Sequence, residues 1–138
     1  MKVMVIVKAD EQSEAGTIPS TELLSKMTKY NEQLAKAGVM LSGEGLQPSS
    51  KGKRVKFSGE RPTVVDGPFA ETKELVAGFW IWNVKSIDEA VEWLKRAPFD
   101  RGEVEIRPFH TLEDFRANLT PELRRENERL SEMLDGKK

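Results

Sequence analysis

The chain has 138 residues, 33% of them charged and 38% hydrophobic, with a formal net charge of −1. That length suits one domain with a real core, and so small a charge supplies no field for nucleic acid or an anionic membrane. The absence of cysteine excludes disulfides, thiol catalysis and Cys-ligated metal. No apolar run approaches the ~20 residues that cross a bilayer, so a soluble, cytoplasmic protein is expected.

Val3 to Lys8 is a β-branched run of strand length, and Asp10 to Pro19 reads as a polar loop. From Ser20 to Ala37 the pattern is helical: Leu23, Met27, Tyr30 and Leu34 make one apolar stripe, and Gly38 suits the left-handed residue after a helix. Val39 to Leu46 resumes as a strand, where Gly43 and Gly45 suggest a bulge or a close approach to the backbone.

Gln47 to Gly52 is a turn-rich link, followed by a hairpin of Lys53 to Phe57 and Pro62 to Val65. Asp66-Gly67-Pro68-Phe69 is a sharp turn, and Ala70 to Glu74 is polar. Val76 to Val84 is the strongest strand. Ser86 and Glu89 have capping-box spacing, which predicts a helix to about Arg96, stopped by Pro98. Glu103 to Phe109 is the last strand. Thr111 and Thr120-Pro121 mark two helix starts in a tail whose final helix carries a thin stripe of Leu123, Leu130 and Leu134.

The order is therefore β-α-β, a hairpin, β-α-β and a helical tail. This predicts an α+β, ferredoxin-like split βαβ with both helices on one sheet face. A single domain over 1–138 is expected, with a core of 1–110 and a tail of 111–138.

Strand residues alternate between faces. Phe79 and Ile81 lie on one side of their strand, Trp80, Trp82 and Val84 on the other, and the first strand is equally apolar on both sides. A sheet with one wet face should alternate apolar with polar. Leaving each Trp in water would forfeit several kcal/mol, at about 25 cal/mol per Å² over roughly 150–250 Å². The tail offers little cover, so a homodimer formed through the sheet face is expected, with Trp82 in the contact.

Two clusters are candidates for chemistry. Asp66 ends a strand, where its carboxylate either caps the turn or points into a cleft, and Phe69, Thr72 and Lys73 follow as ligand contacts. Glu44, flanked by Gly43 and Gly45, is accessible on both sides as a general base or polar anchor. Asp66 and Glu44 are the catalytic candidates, with Trp80 or Trp82 as the apolar wall of a cleft between sheet and helices. The structural alternatives are an Asx-type turn with a solvated charge run and a bulged strand with an outward Glu. His110 is the single histidine, so no multi-His metal site exists. Nucleophile-elbow, phosphate-loop and dinucleotide patterns are missing, and no metal or cofactor is expected.

Gly43-Glu44-Gly45-Leu46, Val65 to Glu74 (VDGPFAETKE) and Gly78-Phe79-Trp80 together resemble the DGPF branch of the YCII-related family, over roughly residues 1–110. The resemblance implies a dimeric α/β barrel in which related folds hold small ligands between sheet and helices. Some relatives are linked to alternative sigma factors. The wider family is thought to use a His on the first helix and an Asp near the end of the second. Here the first helix has no His, and Ala97 stands at the second position. The expected function is small-molecule binding, with an enzymatic role through a carboxylate left open. The alternative is a non-catalytic regulatory or interaction module.

Overall fold

The computed structural model describes residues 1–136, apart from the side chain of Lys73. Among the described residues, six strands and four α-helices follow one another: β1 Lys2–Lys8, α1 Glu11–Glu14, α2 Thr21–Lys36, β2 Met40–Gly45, β3 Lys53–Ser58, β4 Arg61–Asp66, β5 Val76–Asn83, α3 Ile87–Leu94, β6 Val104–Pro108 and α4 Pro121–Asp135. Short 3-10 turns occupy Ser49–Lys51, Thr72–Glu74 and Leu112–Asn118. The main sheet has the order β2-β5-β1-β6, all antiparallel, and β3-β4 form a separate ribbon. This is the ferredoxin-like plan, with the hairpin inserted between its second and third strands.

Local chemistry explains the helix boundaries. Ser20 accepts from the Leu23 N–H at the start of α2, and Gly38 follows the helix at φ 74°. Thr120 caps α4 in the same way, with Pro121 at its first position.

Two local expectations change. The polar segment after β1 contains the one-turn helix α1, because Asp10 and Ser13 cap each other's backbone N–H groups at 2.8 and 2.9 Å. Before α3, Ser86 accepts from the Glu89 N–H, but the Glu89 carboxylate reaches the Lys85 N–H and not that of Ser86. The capping box is therefore only half formed.

The core lies between the sheet and helices α2 and α3. Val3, Val5, Trp80, Trp82 and Val84 meet Tyr30, Leu34, Val39 and Ala90, and all are buried. The strand register explains the grouping: Val3 faces Trp82 and Val5 faces Trp80 across β1 and β5. This corrects one expectation. The tryptophan side is the helix-covered side, so Trp82 belongs to the core and not to an uncovered face. Alternation identifies two apolar sides but carries no mark of which one the helices take.

The other face carries Met4, Ile6, Phe79 and Ile81, each half-buried. Register lines them up in two rows, Ser42–Ile81–Met4–Arg107 and Glu44–Phe79–Ile6–Glu105. The apolar centre is thus flanked by polar residues on both edge strands. Among the described residues, no helix is long and apolar enough to cross a membrane.

Candidate functional site

Aromatic side chains converge where β5 meets α2 and the segment after α3. Tyr30 lies edge-on to Trp80 with centroids 5.9 Å apart, Trp82 is tilted at 5.7 Å, and Phe99 is edge-on at 6.1 Å. Tyr30 and Leu34 are one helical turn apart on the buried side of α2. Tyr30 donates its phenolic proton to the Trp93 carbonyl at 2.6 Å, tying α2 to the end of α3. Burial pushes the Tyr30 hydroxyl up to about 12, against a weaker opposing effect of the Arg96 charge. The group is therefore a neutral donor at any ordinary pH.

The two core indoles differ. Trp80 donates its Nε1–H to the Asn31 Oδ1 at 2.9 Å. The Nε1 of Trp82 is buried with no hydrogen-bond partner. A buried donor left unpaired costs about 1–3 kcal/mol, and such groups are few in folded proteins. Phe99, at 37% exposure, is the most accessible ring of the cluster and lies at its outer side.

Glu44 stands on the opposite side of the sheet. It is exposed on the edge strand, in register with Phe79, while its neighbour Gly43 is in register with Trp80. The close approach that the glycines suggested is made by the protein itself at Gly43 and not at Gly45, where an added Cβ would meet nothing within 4 Å. A Cβ on Gly43 would lie 2.7 Å from Cδ1 of Trp80, and one on Gly78 would lie 2.9 Å from the Glu44 carbonyl oxygen. The register shift in β2 falls between Met40 and Ser42, ahead of the two glycines, which pair regularly with β5.

Asp66 closes the hairpin ribbon, where it is exposed and ion-paired with Lys53, its cross-strand neighbour. The turn that follows is anchored to the body of the protein. The Ser49 hydroxyl donates to the Glu14 carboxylate and accepts from the Phe69 N–H at 3.1 Å. The second Glu14 oxygen accepts from the Ser49 N–H at 2.9 Å. A Cβ on Gly67 would come within 1.8 Å of the Ser49 carbonyl oxygen, so only glycine fits. The Arg54 guanidinium sits 3.9 Å over the Phe69 ring.

Thr72 lines a shallow surface groove with Ala70, Glu71 and Glu74. The side chain of Lys73 lies outside the described residues. Glu44 and Asp66 thus occupy different sheets, and Trp80 and Trp82 lie on the face away from Glu44. Tyr30, Asn31 and Phe99 complete the aromatic cluster and were not singled out as site residues in the sequence. The helical stripe did contain Tyr30, and Asn31 follows it directly.

His110 is exposed, with Nδ1 3.1 Å from Asp114 Oδ2 and its ring against Phe115. The Thr111 N–H and then His110 hold the Asp114 carboxyl below the ordinary range. Among the described residues, no three His, Cys, Asp or Glu side chains gather as a metal site.

The profile of the YCII-related domain matches residues 1–112. The chain belongs to the YCII-related family. Its matched region holds both sheets, helices α1 to α3 and the aromatic cluster, while α4 lies beyond it. An uncharacterized protein of Rhizobium meliloti (strain 1021) is 30% identical over 89 residues, 62% of this chain and 72% of that protein. Among solved structures, the chain is similar to 5-chloro-2-hydroxyhydroquinone dehydrochlorinase (TftG) from Burkholderia phenoliruptrix AC1100, in complex with 2,5-dihydroxybenzoquinone. That likeness has a TM-score of 0.47 at 17% identity and covers 83% of this chain and 98% of the other.

Proposed function

We propose that this YCII-related protein binds a small, planar, largely apolar molecule between its sheet and helices. The observation that carries this reading is the buried Trp82 indole N–H without a partner, beside the Trp80 ring. Small-molecule sites join apolar walls to a few placed polar groups. Trp80, Trp82 and Tyr30 supply the walls, and a hydrogen-bond acceptor on the ligand would satisfy the Trp82 donor. Entry would displace Phe99, the most accessible ring. Glu44 and Asp66 stand outside this cluster, so the reading is one of binding, with no reaction assigned to a carboxylate.

The working form in this reading is a homodimer. Met4, Ile6, Phe79 and Ile81 form an apolar centre between polar edges, the layout of a protein interface. A twofold pair would use this one patch on both subunits.

A second reading, a non-catalytic contact module, is favoured by the tail. Leu123, Leu130, Met133 and Leu134 are 43%, 51%, 61% and 58% exposed, all on α4.

The binding reading is tested by a thermal-shift screen of small aromatic phenols, quinones and aromatic acids against wild type and Trp82→Phe. Compounds that raise the wild-type melting temperature should lose most of that shift in Trp82→Phe. Equal shifts in both proteins would sink the Trp82 site.

A further inference from the structure

Two side chains in the aromatic cluster carry hydrogen-bond donors that the fold leaves unused. One is Trp82, whose buried Nε1–H has no partner. The other is Asn31, half-buried on α2. An indole N–H can only donate, so the amide atom that meets Trp80 Nε1 at 2.9 Å is the carbonyl oxygen Oδ1. That contact fixes which end of the amide is which and turns Nδ2 away from the indole. Among the described residues, the Asn31 Nδ2 group has no bond of its own.

The acceptors of the same cluster are engaged. Asn31 Oδ1 is taken by Trp80, and the Tyr30 hydroxyl gives its proton to the Trp93 carbonyl at 2.6 Å. The remaining core neighbours, from Val3 and Val5 to Leu34 and Ala90, are aliphatic. The polar character of the cluster is therefore one-sided: it offers N–H groups and has nothing to receive them.

Trp80 connects the two donors. Its indole bonds Asn31, and its ring lies 5.7 Å from that of Trp82, centroid to centroid. The Trp80 ring is itself fixed. It is 5% exposed, and a Cβ on Gly43 would lie 2.7 Å from its Cδ1. Donors held this firmly are oriented before a ligand arrives, which lowers the ordering cost of binding.

We infer that Asn31 sets the specificity of this site, and that its ligands are planar molecules with two hydrogen-bond acceptors and no donors, the class of aromatic dicarbonyl compounds. The inference rests on the small-molecule reading above and names the chemistry of its ligand. One carbonyl oxygen would accept from Trp82 Nε1 and the other from Asn31 Nδ2, with the ring against Trp80. A hydrocarbon of the same shape would leave Trp82 unpaired and strip water from Asn31, which costs free energy. A ligand whose polar groups donate would set N–H against N–H.

Three benzenes of similar size make the test: para-diacetylbenzene with two carbonyls, para-diethylbenzene with none, and para-phenylenediamine, whose amines donate. Wild type should bind para-diacetylbenzene about tenfold tighter than either analogue by calorimetry. Asn31→Asp keeps an oxygen for Trp80 and replaces the free N–H₂ by a second acceptor. It should weaken para-diacetylbenzene about tenfold and move para-phenylenediamine above it in rank. An unchanged Trp80 indole signal in the nuclear magnetic resonance spectrum checks that the variant is folded, and the wild-type ranking decides alone if it is not. Equal wild-type affinities for the three compounds, or an unchanged ranking in folded Asn31→Asp, overturn the inference. Failure of para-diacetylbenzene while other aromatic compounds bind, and lose binding in Trp82→Phe, overturns the ligand class and spares the binding reading. Binding by no compound at all removes both.

Discussion

Trp80 donates its indole N–H to Asn31 at 2.9 Å, whereas Trp82, two residues along the same strand, keeps a buried N–H with no partner. Both rings lie on one face of β5 and meet each other, while Tyr30 and Phe99 stand against Trp80. The difference comes from α2, which presents an amide side chain to one indole and not to the other. Trp80 is held by the fold. Trp82 has a donor to spare.

The glycines beside Trp80 and Ser49 should be intolerant of any side chain. Gly43→Ala puts a methyl 2.7 Å from the Trp80 ring and should cost about 1–3 kcal/mol as the indole shifts. Gly67→Ala meets backbone at 1.8 Å, which no rotamer change relieves, and should cost more than Gly43→Ala. Urea unfolding of both variants gives the comparison. Equal stability of Gly67→Ala and wild type would contradict the close packing of the turn on Ser49.

Ser49→Ala should loosen the turn after β4. The substitution strands the Phe69 N–H and removes one partner of Glu14, a loss of about 1–3 kcal/mol if both stay out of water. Amide exchange at Phe69 reports on the anchor directly. It should rise sharply in Ser49→Ala while amides of β1 and β5 stay protected.

These anchors show what was legible in the sequence and what was not. Hydrophobic periodicity placed α2 and β5, because periods of 3.6 and 2 are printed in residue type, and the order of elements pointed to the ferredoxin-like plan. The sharp turn at Gly67-Pro68 was visible for the same local reason. Its partner Glu14 was not, since it lies 35 residues from Ser49 in a segment that reads as polar loop. The covered side of the sheet was equally hidden: Val3 and Met4, or Trp80 and Ile81, are all apolar. The proposed site keeps Trp80 and Trp82, named from the sequence as a cleft wall, and adds Tyr30 and Asn31, which reach Trp80 only through tertiary contacts.

Stability should fall at alkaline pH through Tyr30. Burial raises its hydroxyl to about 12, above the usual value near 10 in an unfolded chain. A raised value means that the folded state holds the proton more tightly. The resulting stabilisation is complete below pH of about 10 and is lost as pH climbs from there towards about 12. Tyr30 is the only tyrosine, so absorbance titration of phenolate formation follows this one residue. A midpoint near 10 in the folded protein would contradict the buried hydroxyl.

The proposed dimer should depend on the open face and not on the tryptophans. Ile81→Glu places a charge in the apolar row Ile81–Met4 without touching the core, and should convert the dimer to monomer in sedimentation or light scattering. Its far-UV circular dichroism should match wild type. A wild-type monomer, or a dimer unaffected by Ile81→Glu, would rule out the sheet-to-sheet contact. Trp82→Glu would disrupt the core and cannot distinguish these cases.

The most direct test of small-molecule binding at the unpaired indole is nuclear magnetic resonance. The chain has three tryptophans, so a ¹⁵N-labelled sample gives three indole N–H signals, and Trp82→Phe assigns one by its loss. Compounds that raise the melting temperature are titrated in. The expected result is that the Trp82 signal moves furthest, downfield, as its N–H gains an acceptor. Binding that shifts Trp80 or Trp93 and leaves the Trp82 signal in place would contradict the proposed site.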